Sequence, residues 1–320
     1  MTYATAKTLD ADLIPVIDIT ALRAGDSVEV ASALHSASQG LGFIYITGHG
    51  IPEAKIDAAR SAAFAFFRAD DAEKETVRVS KSHRGWLSQG GAKMQDDAKA
   101  DLKESFIWGW QAADGAPADD HPLRGENRWP AFLPGLETAA MDYFVAAHEV
   151  AHHLMRGFAL GLSLPPDFFL RSTDKPLSRA SFVYYPAQSA DMGADQFGVG
   201  PHTDFGVLTV LCQDDVGGLQ VQTVDGDWVQ APPIPGSLIV NVADLLARWT
   251  AGAYKSTPHR VVNSSGRERL SLVLAYDPNP DTMIDPGEVF GRAVEGAEAP
   301  ITCGDYLTWR FGKAFSYRKA

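Results

Sequence analysis

The sequence predicts a mainly β domain of the sandwich or barrel type, with helices flanking it. Short β-rich runs fill the second half of the chain, and turns such as Asp225-Gly226-Asp227 separate them. The first half instead carries helical periodicity and two short apolar runs. With 320 residues, of which 45% are hydrophobic, the chain is long enough to bury one large core.

Each predicted element has a local signature in the sequence. Apolar residues recur at helical spacing in three segments, at residues 28–37, 52–68 and 135–164. Runs rich in β-branched, aromatic or other apolar residues predict strands at residues 42–46, 104–110, 179–185, 205–212, 219–223, 238–242, 260–263 and 269–276. Gly, Pro and acidic residues over 112–130 predict a long surface loop.

Composition narrows the class of partner. The formal net charge of −12 disfavours nucleic acid and anionic membrane surfaces, because both need a basic footprint. No apolar run approaches the roughly 20 residues of a membrane span. The first ten residues lack the basic start and apolar stretch of a signal peptide. With only Cys212 and Cys303 present, we expect a cytoplasmic protein with two free thiols.

Two histidines and one carboxylate have the pattern of a non-haem iron site. Asp204 follows His202 by two residues, and His259 lies further along the chain. Such a set occupies three positions of an octahedral ion and leaves three for an organic ligand and O2. Arg269 and Ser271 come ten and twelve residues after His259 and would face the same side of one strand. The combination predicts an Fe(II) oxygenase that holds a carboxylate-bearing co-substrate.

A second metal motif competes with this one. His148-Glu149-Val150-Ala151-His152 is a literal H-E-x-x-H, the helical zinc-protease signature. The extended form of that motif is absent, because Met155 and Phe158 stand where it needs Gly and His. No Glu between residues 150 and 267 offers a third ligand. We interpret the two histidines as packing residues, and a zinc hydrolase and a non-catalytic β-barrel binding protein remain as alternatives.

Several short motifs occur in the order typical of one enzyme family. They are Ile14-Pro15-Val16-Ile17-Asp18, Gly42-Phe43, His49-Gly50-Ile51-Pro52, Lys103-Glu104-Ser105-Phe106, Tyr184-Tyr185-Pro186, His202-Thr203-Asp204, Gly217-Gly218-Leu219-Gln220-Val221, Asn241-Val242-Ala243-Asp244, Ser256-Thr257-Pro258-His259-Arg260-Val261 and Arg269-Leu270-Ser271. Through them the chain resembles the isopenicillin N synthase-like family of Fe(II)/2-oxoglutarate-dependent dioxygenases over nearly its whole length.

The resemblance implies a double-stranded β-helix, or jelly-roll, core with flanking helices. Within one compact unit it implies four segments: an N-terminal α/β region (1–130), a long helical segment (131–177), the jelly-roll core (178–285) and a C-terminal helical tail (286–320). The implied Fe(II) ligands are His202, Asp204 and His259. The residues implied to hold the far carboxylate of 2-oxoglutarate are Arg269, Ser271 and Tyr185.

The reaction implied is O2-dependent decarboxylation of 2-oxoglutarate to succinate, coupled to hydroxylation, desaturation or ring closure of a small organic substrate. A family member that uses iron without 2-oxoglutarate is the alternative. No Gln follows Gln230, so the tail glutamine that binds iron in isopenicillin N synthase has no counterpart. Val183 stands where many family members have Asn, which removes one polar contact to the co-substrate, and Ala275 replaces a frequent Phe, which suggests a reshaped pocket.

Other residues are further candidates for the site and its pocket. Asn241 could support an iron ligand from behind. The candidates for the pocket wall are Trp86, Phe106, Trp108 and Trp110, although aromatic residues in strands more often belong to a core. The candidates for attracting an acidic substrate are Arg84 and Lys93.

Overall fold

The structure, a computed structural model, describes residues 4–7, 13–91, 99–111, 121–188 and 196–318. Its strands are β1 (Val16–Asp18), β2 (Phe43–Thr47), β3 (Gly85–Leu87), β4 (Glu104–Gly109), β5 (Arg179–Tyr185), β6 (Val199–His202), β7 (Leu208–Gln213), β8 (Leu219–Gln222), β9 (Trp228–Gln230), β10 (Leu238–Val242), β11 (His259–Val261), β12 (Arg269–Tyr276), β13 (Met283–Ile284) and β14 (Ile301–Thr302). Its α-helices are α1 (Thr20–Ala24), α2 (Val28–Gln39), α3 (Glu53–Phe67), α4 (Asp71–Glu75), α5 (Gly135–Gly161), α6 (Asp244–Trp249), α7 (Pro286–Phe290) and α8 (Cys303–Ala314).

Two sheets form the centre of the fold. The larger has eight strands in the order β1-β2-β10-β7-β12-β5-β4-β3, and the smaller has four in the order β6-β11-β8-β9. β12 lies between β5 and β7 and is antiparallel to both. This is the jelly-roll core with flanking helices that the sequence predicts. Strands from the first 130 residues complete the larger sheet on both sides.

The larger sheet has a different environment on each face. One face packs against the helices, where α5 lies on α2 and α3 and buries Tyr143, Ala147 and Leu154. The other face and the smaller sheet enclose a second apolar cluster that includes Phe43 and Val221. Because both faces are covered, the central strands are apolar almost throughout, as in strands buried on two sides.

The predicted helices and strands agree with the structure within a few residues. α2 begins after Ser27, whose Oγ accepts a hydrogen bond from the Val30 amide, and α5 ends before Pro165. β7 begins three residues later than predicted, at Leu208, and β11 begins one residue earlier, at His259. The first residues of the predicted surface loop, 112–120, lie outside the described residues. None of the helices in the described ranges combines the length and the apolar character needed to cross a membrane.

Candidate functional site

A cavity lies between the two sheets at one end of the jelly roll. Alternate residues of β12 line it, from Arg269 and Ser271 at one end to Ala275 at the other. The neighbouring strand β5 runs in register beside them, so that Tyr185 lies opposite Arg269. One surface thus carries both the proposed co-substrate residues and part of the wall beyond them, because residues two apart point to the same face of a strand.

Three of the predicted site residues converge on one point of this cavity. Nε2 of His202 and Nε2 of His259 each lie 3.7 Å from Oδ1 of Asp204. One ligand atom from each residue can be chosen so that all three lie within 4.8 Å of one another, and no other such group occurs in the described ranges. His202 and His259 are directly paired across β6 and β11. The backbone register of the smaller sheet therefore sets the spacing of the two imidazoles.

Hydrogen bonds orient each of the three side chains. Nδ1 of His202 donates to the Gly200 carbonyl at 2.8 Å, and Nδ1 of His259 lies 3.2 Å from the Thr257 carbonyl. These bonds place the ring proton on Nδ1, so that the lone pair on Nε2 can bind a metal ion. The donor set of two imidazole nitrogens and one carboxylate oxygen fits Fe(II).

The carboxylate is held by two donors from the larger sheet. Oδ2 of Asp204 accepts from Oγ1 of Thr209 at 2.6 Å and from Nδ2 of Asn241 at 2.9 Å. Asn241 and Thr209 are cross-strand neighbours on β10 and β7. With Oδ2 occupied, Oδ1 is the oxygen directed to the histidines. The sequence marked Asn241 as a candidate but missed Thr209.

The pKa values of His202 and Asp204 favour the binding of a cation. Burial lowers the pKa of His202 to about 3, with His259 acting in the same direction. Burial alone would raise the pKa of the Asp204 carboxyl, but the two histidines and the hydrogen bonds from Asn241 and Thr209 lower it to about 2. At neutral pH His202 therefore has a free lone pair and Asp204 carries a negative charge.

Arg269 is fully buried and incompletely bonded. Its Nε donates to the Gly217 carbonyl and its Nη2 donates to Oε1 of Gln213 at 3.2 Å. Nη1 of Arg269 and Oγ of Ser271 are buried without a partner in the described residues. The Tyr185 ring lies under the guanidinium, 4.7 Å from its carbon. Because unpaired buried donors are costly, these atoms are suited to receive a carboxylate.

The turn that carries the Gly217 carbonyl requires glycine. Gly217 and Gly218 have φ values of +80° and +92°, in the left-handed region that L-residues avoid. A Cβ at Gly218 would lie 2.5 Å from the Val262 carbonyl oxygen. The motif Gly217-Gly218 therefore allows the close approach of β8 to β11 and presents a carbonyl to Arg269.

The wall of the cavity is formed by other residues than the four aromatic candidates. Phe106 and Trp108 belong to the core on the helical side, whereas Ser105 and Ile107 of the same strand line the cavity. Trp86 is also in that core and Trp110 packs against it. The apolar wall is formed instead by Leu87, Ile107, Phe205, Phe311 and Phe315. Val183 and Ala275 also line the cavity.

Arg84 and Lys93 are the two basic residues that the sequence suggested for attracting an acidic substrate. Arg84 is buried, its guanidinium lies against Gly109, and Nη1 donates to the His83 carbonyl at 3.0 Å. It does not line the cavity. Lys93 lies outside the described residues.

The H-E-x-x-H residues have structural contacts. Nε2 of His148 lies 3.1 Å from Oγ of Ser178, and the His148 and His152 rings both pack on Tyr276. Burial lowers the pKa of His148 to about 3. The Glu149 side chain is 75% exposed and faces away from them toward His153. No third ligand joins the two histidines in the described ranges, so the geometry does not support a zinc hydrolase.

Comparison with known proteins agrees with this geometry. A family profile described as the N-terminal region of non-haem dioxygenase in morphine synthesis matches residues 14–132, and the 2OG-Fe(II) oxygenase superfamily profile matches residues 178–278. A probable iron/ascorbate oxidoreductase of Dictyostelium discoideum is 36% identical over 83% of this chain and 81% of its own length. A homoarginine-6-hydroxylase of Glycine max is 32% identical over 93% of this chain and 96% of its own length.

A solved structure gives the same result. The crystal structure of a full-length Neurospora crassa protein in complex with alpha-KG (2-oxoglutarate) and thymine superposes with a TM-score of 0.83 and 28% identity, and the match covers 95% of this chain and 98% of that one. The chain therefore belongs to the 2OG-Fe(II) oxygenase superfamily and is a non-haem Fe(II)- and 2-oxoglutarate-dependent oxygenase.

Proposed function

We propose that His202, Asp204 and His259 are the Fe(II) ligands of this oxygenase. The observation that carries the proposal is the convergence of two imidazole nitrogens and one carboxylate oxygen within 4.8 Å. The hydrogen bonds on the opposite atoms of all three side chains support it, because metal-binding histidines and carboxylates are usually fixed in this way.

We further propose that Arg269, Ser271 and Tyr185 hold the far carboxylate of 2-oxoglutarate. The buried, unpartnered Nη1 of Arg269 and Oγ of Ser271 support this assignment. A guanidinium can make two parallel hydrogen bonds to a carboxylate, which a lysine cannot reproduce. The Tyr185 ring limits the guanidinium to one plane.

The chemistry is supplied jointly by the iron and the co-substrate. When bound, ferrous iron and 2-oxoglutarate activate O2, and decarboxylation to succinate and CO2 supplies two of the electrons that reduce it. The protein orients the groups. Thr209 and Asn241 fix the Asp204 carboxylate, and Arg269 fixes the far end of the co-substrate.

The organic substrate is a small molecule. The Neurospora crassa structure was solved with thymine, a small heterocycle, and the cavity here is about 200 Å³ in volume. A cavity of this size suits the reacting part of a small molecule. Hydroxylation, desaturation and ring closure share the same first oxidative event.

We retain the four segments 1–130, 131–177, 178–285 and 286–320 as parts of one functional unit. The sharing of one sheet by β4 and β5 supports this unity. We also propose a reducing, cytoplasmic environment, which the two free, buried cysteines support.

An anaerobic titration tests the site assignment. Apoprotein is titrated with Fe(II) and then with 2-oxoglutarate, and the visible charge-transfer band of the ferrous chelate is recorded. We expect the band in the wild type, no band in His259→Ala, and a band only at much higher 2-oxoglutarate in Arg269→Ala.

Arg267→Ala is the matched control. Arg267 lies two residues before Arg269, is exposed and pairs with Asp215 on the surface. We expect it to titrate as the wild type does. An undiminished band in His259→Ala would refute the ligand assignment, and an unchanged 2-oxoglutarate affinity in Arg269→Ala would refute the co-substrate assignment.

A further inference from the structure

The cavity contains one charged side chain that neither the metal nor 2-oxoglutarate accounts for. The charged side chains that line the cavity in the described ranges are Lys103, Arg179, Asp204 and Arg269, besides histidines. Asp204 is assigned to the metal and Arg269 to the co-substrate. Arg179 is neutralised by the buried Asp277 carboxylate, with Nη1 2.7 Å from Oδ2. Lys103 alone remains.

The Lys103 ammonium has no partner of its own in the described part of the chain. No hydrogen bond or ion pair to it is formed there. Asp101 is the acidic residue nearest in sequence on its N-terminal side. It uses Oδ1 to accept from the Gly200 amide, and although it lies beyond ion-pair distance of Lys103, its charge acts on the ammonium more strongly than that of Asp204. A partly buried cation without a partner is costly, and this cost is relieved when an anion binds beside it.

The position of Lys103 suits a ligand inside the cavity. It lies immediately before β4, whose cavity-facing residues Ser105 and Ile107 continue the same two-residue alternation. It lines the same cavity as His202 and Asp204, and its charge contributes to the lowered pKa of His202. Nearby, Phe311 and Phe315 of the C-terminal segment close the apolar side of the cavity.

We propose that Lys103 anchors an anionic group of the organic substrate, and that this oxygenase selects a compact carboxylate with an apolar or aromatic body. The inference rests on the proposed function, because it counts Arg269 and Asp204 as already used. The Lys103 ammonium forms the ion pair, and the wall of Leu87, Phe311 and Phe315 packs against the apolar body.

The same charges disfavour a basic substrate. A guanidinium or ammonium group needs a free carboxylate, and the one carboxylate that lines the cavity in the described ranges is Asp204, a proposed iron ligand. The relatives named homoarginine-6-hydroxylases act on a cationic amino acid, as their names state. Homoarginine carries a carboxylate as well as two cationic groups, so it is the probe that tests whether the cavity also accepts a cation.

Binding of three small probes tests the proposal. Protein loaded anaerobically with Fe(II) and saturating 2-oxoglutarate is titrated calorimetrically with phenylacetate, with its neutral isostere phenylacetamide, and with homoarginine. The charge-transfer band is recorded in parallel, so that displacement of 2-oxoglutarate is detected. The variants are Lys103→Met, Lys103→Arg and, as an exposed lysine outside the cavity, Lys175→Met.

We expect wild-type protein to bind phenylacetate at least about tenfold more tightly than phenylacetamide, a difference of about 1.4 kcal/mol. The ratio should fall below about twofold in Lys103→Met, where the charge is lost and most of the unbranched chain is kept. Lys103→Arg and Lys175→Met should keep the preference. Homoarginine should bind more weakly than phenylacetate in the wild type.

Several results would overturn the inference. They are no binding of phenylacetate to the wild type, equal binding of acid and amide, tighter binding of homoarginine, loss of the band when phenylacetate is added, or an unchanged preference in Lys103→Met. A loss of 2-oxoglutarate affinity of more than about tenfold in Lys103→Met would instead assign Lys103 to the co-substrate. Absence of the band in wild-type protein would refute the proposed site as well, so the two failures are distinguishable.

Discussion

The Thr209 hydroxyl should control the affinity of the site for Fe(II), although it does not touch the metal point. Oγ1 of Thr209 donates a 2.6 Å hydrogen bond to Oδ2 of Asp204, in a region where Thr209 is only 7% exposed. Thr209→Val keeps the shape of the side chain and removes the donor. The carboxylate then keeps one donor, Asn241, at 2.9 Å.

The size of the effect follows from the charge of the acceptor. A hydrogen bond to a charged group contributes roughly 1.5–3 kcal/mol, which is about a 10- to 150-fold change in an equilibrium constant. Loss of a residue that supports a metal ligand typically costs about 10- to 100-fold in metal affinity. Because Asn241 remains, we expect about a tenfold rise in the Fe(II) dissociation constant for Thr209→Val. Adding Asn241→Leu should raise it to about a hundredfold.

Anaerobic calorimetry with Fe(II) measures this constant, and thermal unfolding followed by circular dichroism checks the fold. Thr250→Val is the matched control. Thr250 is equally buried and its Oγ1 bonds the Leu246 carbonyl at 2.9 Å, away from the site. We expect Thr250→Val to lower stability and leave Fe(II) affinity unchanged. A folded Thr209→Val protein whose Fe(II) affinity stays within about twofold of the wild type would refute the reasoning.

Three more predictions concern the co-substrate, the cavity and pH. Arg269→Lys should weaken 2-oxoglutarate binding by about tenfold or more and leave Fe(II) binding unchanged, because a single point charge replaces the bidentate contact. Equal 2-oxoglutarate affinities of the wild type and this variant in the anaerobic titration would contradict the prediction. Ala275→Phe should leave 2-oxoglutarate affinity within about twofold of the wild type and abolish phenylacetate binding, because Ala275 lines the cavity six residues along β12 from Arg269. Tight phenylacetate binding by this variant would show that Ala275 does not line the substrate part of the cavity. Burial lowers the pKa of His148 from 6.5 to about 3, so the unfolded chain takes up a proton that the folded chain does not, and this residue makes stability fall as pH drops from about 6.5 toward 3. In His148→Gln the difference in unfolding free energy between about pH 7 and about pH 5 should shrink by about 1–2 kcal/mol, and denaturant melts with an unchanged difference would exclude the effect.

The residues proposed as metal ligands could be selected from the sequence because part of their spacing is local, and His259 was added through its Arg269 and Ser271 neighbours. His202 and Asp204 are two residues apart, and Arg269 and Ser271 share a strand face at the same spacing. Such patterns can be recognised without knowledge of the tertiary structure. The main helices and strands were predictable for the same reason, since apolar periodicity and Pro165 mark them directly.

Thr209 could not be identified in this way. It is an ordinary threonine within an apolar run, and its role appears only when β7 is set beside β10 and Asp204 folds back onto both. The sequence also did not show which residues of β4 point into the cavity. Both faces of that strand are buried, so alternation of polar and apolar residues does not tell whether Ser105 or Phe106 faces the cavity. Phe106 and Trp108 point to the helical side, where they join the larger core cluster.

The pairing of His202 with His259 across β6 and β11 has a consequence for how the enzyme acquires iron. Cross-strand backbone hydrogen bonds hold these two rings near each other before any ion arrives, unlike small zinc domains that fold only around their metal. A metal site whose ligands are already in place can bind any divalent ion that reaches it. Nitrogen and oxygen ligands generally bind Co²⁺, Ni²⁺ and Zn²⁺ more tightly than Fe²⁺. Mis-metallation is therefore an intrinsic hazard of this architecture. The ion recovered with the purified protein should therefore depend both on the metals that the cell and the buffers supply and on the intrinsic affinities of the ligands.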